Sequence, residues 1–244
     1  MDAEIAKIEE YLKNGGSMLY LLPEFGETKL EAMLKKWGVQ TGSELVYDPL
    51  STWRNNVIVT NFNAQSPISR PLFDSKMCIP MSHRISSDDS EVRAADAPQV
   101  TELFRSSSAS YLIGYDEDGN PDTTKRIGDT ENKEYGMAAS IEKGALQGIS
   151  SGKGATRIVV VGNSRFLDNL WIDTAYGNRD FVVLTLNWLL DRKQLMGGVG
   201  PRAIVEYQLN LSEKQVHLLM WIMMGIIPGI VLLSGLVVWT RRRN

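Results

Sequence analysis

The run RIVVV at residues 157–161 is the strongest strand signal in the chain. Ile158 to Val161 are four consecutive branched apolar residues, so a strand built from them presents an apolar surface on both faces, and both need cover. A turn follows at Gly162-Asn163-Ser164, and then a helix is predicted from Asn178. There Phe181, Leu184 and Trp188 recur at helical spacing, Val182, Leu186 and Leu189 widen the stripe, and Asp180 stands in the first turn, where the helix dipole favours a negative charge. Asn178 itself is expected to cap that helix. A buried strand followed by an apolar helix is the repeating unit of an α/β domain.

The rest of the chain extends that reading. Ile5, Ile8 and Leu12 stripe a first helix over 2–14, closed by Gly15-Gly16. Ser17 to Leu22 (SMLYLL) reads as a buried strand ended by Pro23. Thr28 and Glu31 form a capping box for a helix carrying Leu30, Met33, Leu34 and Trp37, which Gly38 terminates. Glu44 to Tyr47, Val57 to Thr60 and Met137 to Ile141 read as further strands, and Val205 to Leu211 as a half-exposed edge strand. The acidic stretches 82–98 and 115–134 read as solvated loops, and 144–156 as a flexible glycine-rich segment. The expected fold is α/β, with a mainly parallel sheet and flanking helices in a Rossmann-like sandwich.

Residues 218–239 read LLMWIMMGIIPGIVLLSGLVVW, 22 positions without a charge. A helix of that length covers about 33 Å, enough for a bilayer core of about 30 Å. Trp221 and Trp239 stand near its two ends, as interfacial aromatic residues do. Pro228 inside the span predicts a kink, because it removes the bond to the Met224 carbonyl, and Gly225 and Gly229 form a small-xxx-small pair suited to helix packing. Ser212 and Gln215 make another capping box, so the helix is expected to begin at Glu213 with no flexible linker. This gives an organisation of a domain over 1–211, a juxtamembrane and transmembrane helix over 212–240, and a basic tail over 241–244.

Charge orients the span. The chain has 244 residues and a net charge of −3, and Arg241, Arg242 and Arg243 follow the apolar run directly. Without those three arginines, 23 basic and 29 acidic residues remain, a net charge of −6. The positive-inside rule then puts the tail in the cytoplasm and the large domain outside it. Met1 leads into an amphipathic helix with no apolar leader, so either the orientation is the reverse or the working protein has an upstream membrane segment that this chain lacks. The second reading is favoured and makes the chain the C-terminal portion of something longer. The same balance supplies no basic field for a nucleic-acid backbone.

The catalytic and metal inventory is thin. One cysteine and two histidines exclude a disulfide framework and argue against a thiolate or imidazole metal cluster. Cys78, five residues before His83, lies in an apolar setting and reads as a buried structural residue. Gly148 to Gly154 lacks the spacing and the hydroxyl of a phosphate loop, Gly198-Val199-Gly200 is a turn, and Asp116, Asp118 and Asn120 make a polar turn rather than a calcium loop. No catalytic residue, metal or cofactor is expected. The rival readings are a hydrolase or amidotransferase-like enzyme using Cys78 and His83, and a ligand-sensing domain.

Several segments in order resemble the GldG-like family of ABC-transporter auxiliary proteins. They are YLKNGGSMLYLLPE (11–24), LEAMLKKWGVQTGSELVYDP (30–49), SPISRPL (66–72), VTELFRSSSASYL (100–112), RIVVVGNSRFLDN (157–169), GNRDFVVLTLNWLLDRKQL (177–195) and the stretch 209–243. The resemblance implies a class I glutamine-amidotransferase-like sandwich outside the cytoplasm, tethered by its C-terminal helix. It implies a multispanning permease and a cytoplasmic ATPase as partners, a role by binding rather than by chemistry, and no particular substrate. Where the family tends to carry an acidic residue after the RIVVV-like strand, this chain has Asn163. Ligands of open α/β sheets collect at the carboxyl ends of strands. Asn163, Ser164, Arg165, Asn178, Arg179 and Asp180 are therefore the candidate binding residues.

Overall fold

A computed structural model describes residues 2–24, 26, 28–50, 56–87, 97–128, 132–144, 155–172, 177–196 and 220–243. The RIVVV run is the heart of strand β11 (Thr156–Val161), all six of whose residues are buried. Its side chains divide by parity: Val159 and Val161 enter one apolar cluster, Ile158 and Val160 the other. Phe181, Leu184 and Trp188 of helix α4 (Asn178–Leu189) lie in the first cluster. Leu12 of α1 (Asp2–Lys13) and Met33 and Leu34 of α2 (Leu30–Lys36) lie in the second. The cover expected on both faces of this strand is there.

The direction of the strands is not what the sequence predicts. β11 pairs in parallel only with β1 (Ser17–Leu21). On its other edge lies β10 (Gly136–Lys143), antiparallel, and beyond it β7 (Gln99–Arg105) and the two-residue β4 (Asn61–Phe62), also antiparallel. The order of this five-stranded mixed sheet is β1-β11-β10-β7-β4. A second sheet has the order β6-β2-β8-β9, from β2 (Val39–Tyr47), β6 (His83–Ser87), β8 (Tyr111–Tyr115) and β9 (Pro121–Ile127), and every described pairing in it is antiparallel. β3 (Asn56–Val59) and β5 (Met77–Pro80) form an antiparallel pair of their own. The expected parallel, Rossmann-like sandwich is thus replaced by mixed and antiparallel sheets. An apolar run buried on both faces reports cover, and strand direction leaves no mark on it.

Two stretches read as solvated loops contain strands. His83 to Ser87 forms β6, with His83 and Ile85 buried, and Pro121 to Ile127 forms β9 in a hairpin with β8. Asp116 makes the turn of that hairpin, its carboxylate accepting from the backbone N–H groups of Asp118 and Asn120 at 3.0 and 2.7 Å. The polar-turn reading holds at that point. Residues 88–96, the segments 145–154 and 197–200, the predicted strand 205–211 and the Ser212–Gln215 box lie outside the described residues.

The start of α2 follows its signal in part. Glu31 reaches back to the Thr28 backbone N–H at 3.0 Å, as in a capping box, while the Thr28 hydroxyl accepts from Leu30 N–H at 3.3 Å. The helix ends through Gly38, whose φ of +80° carries the backbone into β2 in a conformation that costs other residues energy.

The chain divides into two units, Met1–Ile204 and Val205–Asn244. In the second, Ile222–Arg243 is one helix of 22 residues whose most apolar 18-residue stretch has a mean hydropathy of 2.3, long and apolar enough to cross a bilayer. It winds as a π-helix over Ile222–Ile226 and as α-helix α6 over Ile227–Arg243. The wide turn lies just before Pro228, the one residue that offers no N–H to the preceding turn. Added side-chain atoms at Gly225 would meet only the Trp221 ring at 3.6 Å, and at Gly229 nothing within 4 Å. Arg241, Arg242 and Arg243 form the last turn, and the Arg243 guanidinium lies 5.1 Å from the centre of the Trp239 ring.

Candidate functional site

The candidate residues occupy the turn after β11 and the first turn of α4, and the two most buried of them are braces. Asn163 is fully buried. Its carboxamide donates to the Met81 carbonyl at 3.0 Å and accepts from Arg165 N–H at 2.6 Å. Asn178 is also fully buried and is not the N-cap of α4; Gly177 holds that position and makes no side-chain cap. Asn178 accepts from Cys78 N–H at 3.0 Å and donates to the carbonyls of Cys78 at 2.9 Å and Phe166 at 3.1 Å. One side chain thereby ties α4 to β5 and to the turn after β11. A buried polar group is tolerated when its bonds are made, and both asparagines make theirs to backbone.

Arg165 behaves differently. It reaches Glu24 at 2.8 Å across 141 residues of sequence and Asp168 at 3.5 Å. The hydrogen bond to Glu24 raises its pKa further above the ordinary guanidinium value. Glu24 follows β1 as Arg165 follows β11, so the pair bridges the carboxyl ends of the two parallel strands. The Tyr115 hydroxyl donates to the Glu24 carbonyl at 3.1 Å, and burial raises the pKa of that phenol. Ser164 is half-buried at the start of a short 3-10 turn, Asp180 is half-buried in the first turn of α4, and Arg179 is exposed on its outer side. The structure therefore joins Asn163, Arg165 and Asn178 through the turn 163–166.

Met81 and Ser82, which the motif reading did not single out, complete this end of the sheet together with His83. Met81 has a φ of +44°, and the next two residues, Ser82 and His83, are buried. His83 N–H donates to the Gly162 carbonyl at 2.8 Å, and its Nδ1 is buried with no hydrogen-bond partner among the described residues. Gly162 is required for this approach, since a Cβ there would stand 2.3 Å from the His83 carbonyl oxygen. Cys78 is 1% exposed, and burial pushes its thiol up to about 12, so it holds almost no thiolate at neutral pH. It is a packed core residue, as expected.

Open space lies elsewhere, along β7. A groove of about 590 Å³ runs beside Asn61, Asn63, Gln65, Thr101, Glu102 and Arg105. A second of about 350 Å³ shares Glu102 and Arg105 with it and adds Arg84 and Lys133. Both volumes fall in the range of ligand sites. Among the described residues β4 pairs only with Phe104 and Arg105, and Asn63 continues the contact by donating its backbone N–H to the Leu103 carbonyl and its side chain to the Glu102 carbonyl, at 2.9 and 2.8 Å. Glu102 and Arg105 are ion-paired at 2.6 Å across the groove wall. Single polar residues on a strand carry no spacing signature, so sequence reasoning missed this groove. Among the described residues no group of three or more His, Cys, Asp or Glu could hold a metal ion.

No protein-family model matches the chain, and neither does any curated protein. Among solved structures, the "mmIFT52 N-terminal domain" is similar, with a TM-score of 0.54 at 16% identity over 78% of this chain and 71% of that one. At that identity the likeness concerns the fold alone.

Proposed function

We propose that this chain is a membrane-anchored binding domain, an accessory subunit of a bacterial ABC transport system whose partners are a permease and an ATPase. The observation that carries this reading is the apolar helix Ile222–Arg243 with its closing arginines, attached to a domain that has a polar groove of about 590 Å³ beside β7. The choice of partners comes from the ordered resemblance to GldG-like proteins. In this reading the domain lies outside the cytoplasm and Arg241, Arg242 and Arg243 lie inside it. It acts by holding a protein or ligand at the groove beside β7. Cys78, packed as a neutral thiol, is in a poor state to act as a nucleophile.

Affinity purification of the full chain in mild detergent, at native expression, tests this reading. A permease and an ATPase should be recovered together with it, and recovery of the chain alone would overturn the transporter assignment. Cysteine accessibility at Asn244 should report the cytoplasm; labelling from outside would overturn the orientation.

A further inference from the structure

The side of α4 turned away from the core is apolar. At about 100° per residue, Arg179, Val183, Leu186 and Leu190 fall within an arc of about 60°, opposite the buried Phe181, Leu184 and Trp188. Val183 is 40% exposed, Leu186 44%, Leu190 58%, and Leu195 on the adjoining short helix α5 (Lys193–Met196) 52%. Thr185, a residue suited to the water side, is instead buried, and its hydroxyl has no hydrogen-bond partner among the described residues. A helix that met only water on its outer side would carry polar residues there.

We propose that this face of α4 and α5 rests on the surface of the bilayer that holds the C-terminal helix, a proposal that depends on the membrane-anchored reading above. Three observations favour lipid over other occupants. The chain leaves this face at Met196, and only residues 197–219 separate it from the described start of the span, so the domain can move no more than about 80 Å from the lipid. A tether of that length keeps the local concentration of membrane high enough for a weak contact to be occupied. Charge is compatible with anionic phospholipid: exposed Arg192 stands at the C-terminal end of the stripe, while Asp180 lies off its arc and the Asp191 carboxylate is held by Arg157 at 2.9 Å. Finally, a few half-exposed side chains fall far short of the roughly 800 Å² per partner that a stable dimer buries, whereas a lipid surface needs no matching shape.

The test uses the full chain in nanodiscs of mixed phosphatidylglycerol and phosphatidylcholine containing nitroxide-labelled lipid. Single cysteines are placed at Leu190, Asp118 and Val237 in separate preparations, each carrying an environment-sensitive dye. Cys78 is buried and stays unlabelled in the folded protein. Quenching at Leu190 and Val237 with none at Asp118 is the expected result, and Leu186→Glu should cut the quenching at Leu190 at least threefold. Quenching at Val237 alone overturns the surface contact and leaves the anchor standing. No quenching at Val237 overturns the anchor, and the proposal falls with it. Energy transfer between two labelled copies at Leu190, without lipid quenching, assigns the face to a second chain and also overturns the proposal.

Discussion

The end of β11 and the groove beside β7 are both rich in polar side chains and use them in opposite ways. At the first, Asn163 and Asn178 are fully buried and bonded to backbone groups of β5, its following turn and the turn after β11. At the second, Asn61, Gln65 and Arg105 stand beside open volume, and Glu102 meets its ionic partner at the surface. Amide burial at the first place fixes how three elements meet, whereas charge at the second is available to a partner. Substitution should therefore cost stability at one place and binding at the other.

The largest effect is expected at Asn178. Asn178→Ala leaves a buried N–H and two buried carbonyls without their partner, and each such loss costs about 1–3 kcal/mol. Unfolding free energy should fall by about 3 kcal/mol or more, lowering the melting temperature by roughly 6–12 °C for a domain of this size. Differential scanning fluorimetry of the full chain in detergent measures it. A shift under about 2 °C would remove the distinction between the two regions.

Next comes Gly162→Ala. The added methyl would meet the His83 carbonyl and the Ser82 hydroxyl, and the nearer obstacle is backbone. The start of β6 must move and strain the bond from His83 N–H, so about 1–3 kcal/mol of stability should be lost, read from urea denaturation. Unchanged stability would mean that the β6–β11 contact is loose.

These two positions also mark how far the sequence could be read. Gly162-Asn163-Ser164 announced a turn, and the RIVVV run announced a strand covered on both faces; both are found. Asn178 announced a cap because asparagine before an apolar helix usually is one. Its role as a brace depends on Cys78, a hundred residues away, and no local pattern carries that. Strand direction was misread for a related reason. β1 and β11 are parallel while β10 runs against β11, and the side-chain pattern of a buried strand is the same beside either neighbour. β6 and β9 were hidden because charged and hydroxyl residues line their open sides, as in His83-Arg84-Ile85-Ser86 and Asp122-Thr123-Thr124-Lys125.

An effect that is smaller per pH unit, and accumulates over several, follows from pH. Burial pushes Cys78 up to about 12, so the folded chain keeps a proton that the unfolded chain releases near the ordinary thiol value of about 8.5. A raised folded-state value means that this stability is fully present below about pH 8.5 and is lost as pH rises toward 12. Tyr20, also pushed up to about 12 by burial, adds a loss above its ordinary value of about 10. Denaturation midpoints measured from pH 8 to 11 should fall, and Cys78→Ala should flatten the decline by at most about 1.4 kcal/mol per pH unit. In the folded chain at pH 8 the thiol should not react with a thiol reagent. Rapid reaction there would place Cys78 among accessible groups and break its assignment to the core.

The smallest effect on stability, and the most informative for function, is expected at Glu102. Its pair with Arg105 lies at the surface, the arginine side chain being 48% exposed, and exposed pairs contribute about 0–1 kcal/mol. Glu102→Gln keeps the shape and one acceptor oxygen while removing the charge, so the melting temperature should move by less than about 2 °C. If the groove receives a partner, the change leaves the Arg105 guanidinium without its counter-ion and alters the charge the partner meets. Recovery of the permease and ATPase with the Glu102→Gln chain should then drop several-fold, while a chain carrying Gly162→Ala, kept below its melting temperature, should still recover them. The reverse result, partners lost with Gly162→Ala and kept with Glu102→Gln, would transfer the binding role to the end of β11, and the buried amides there would then hold a recognition surface in place.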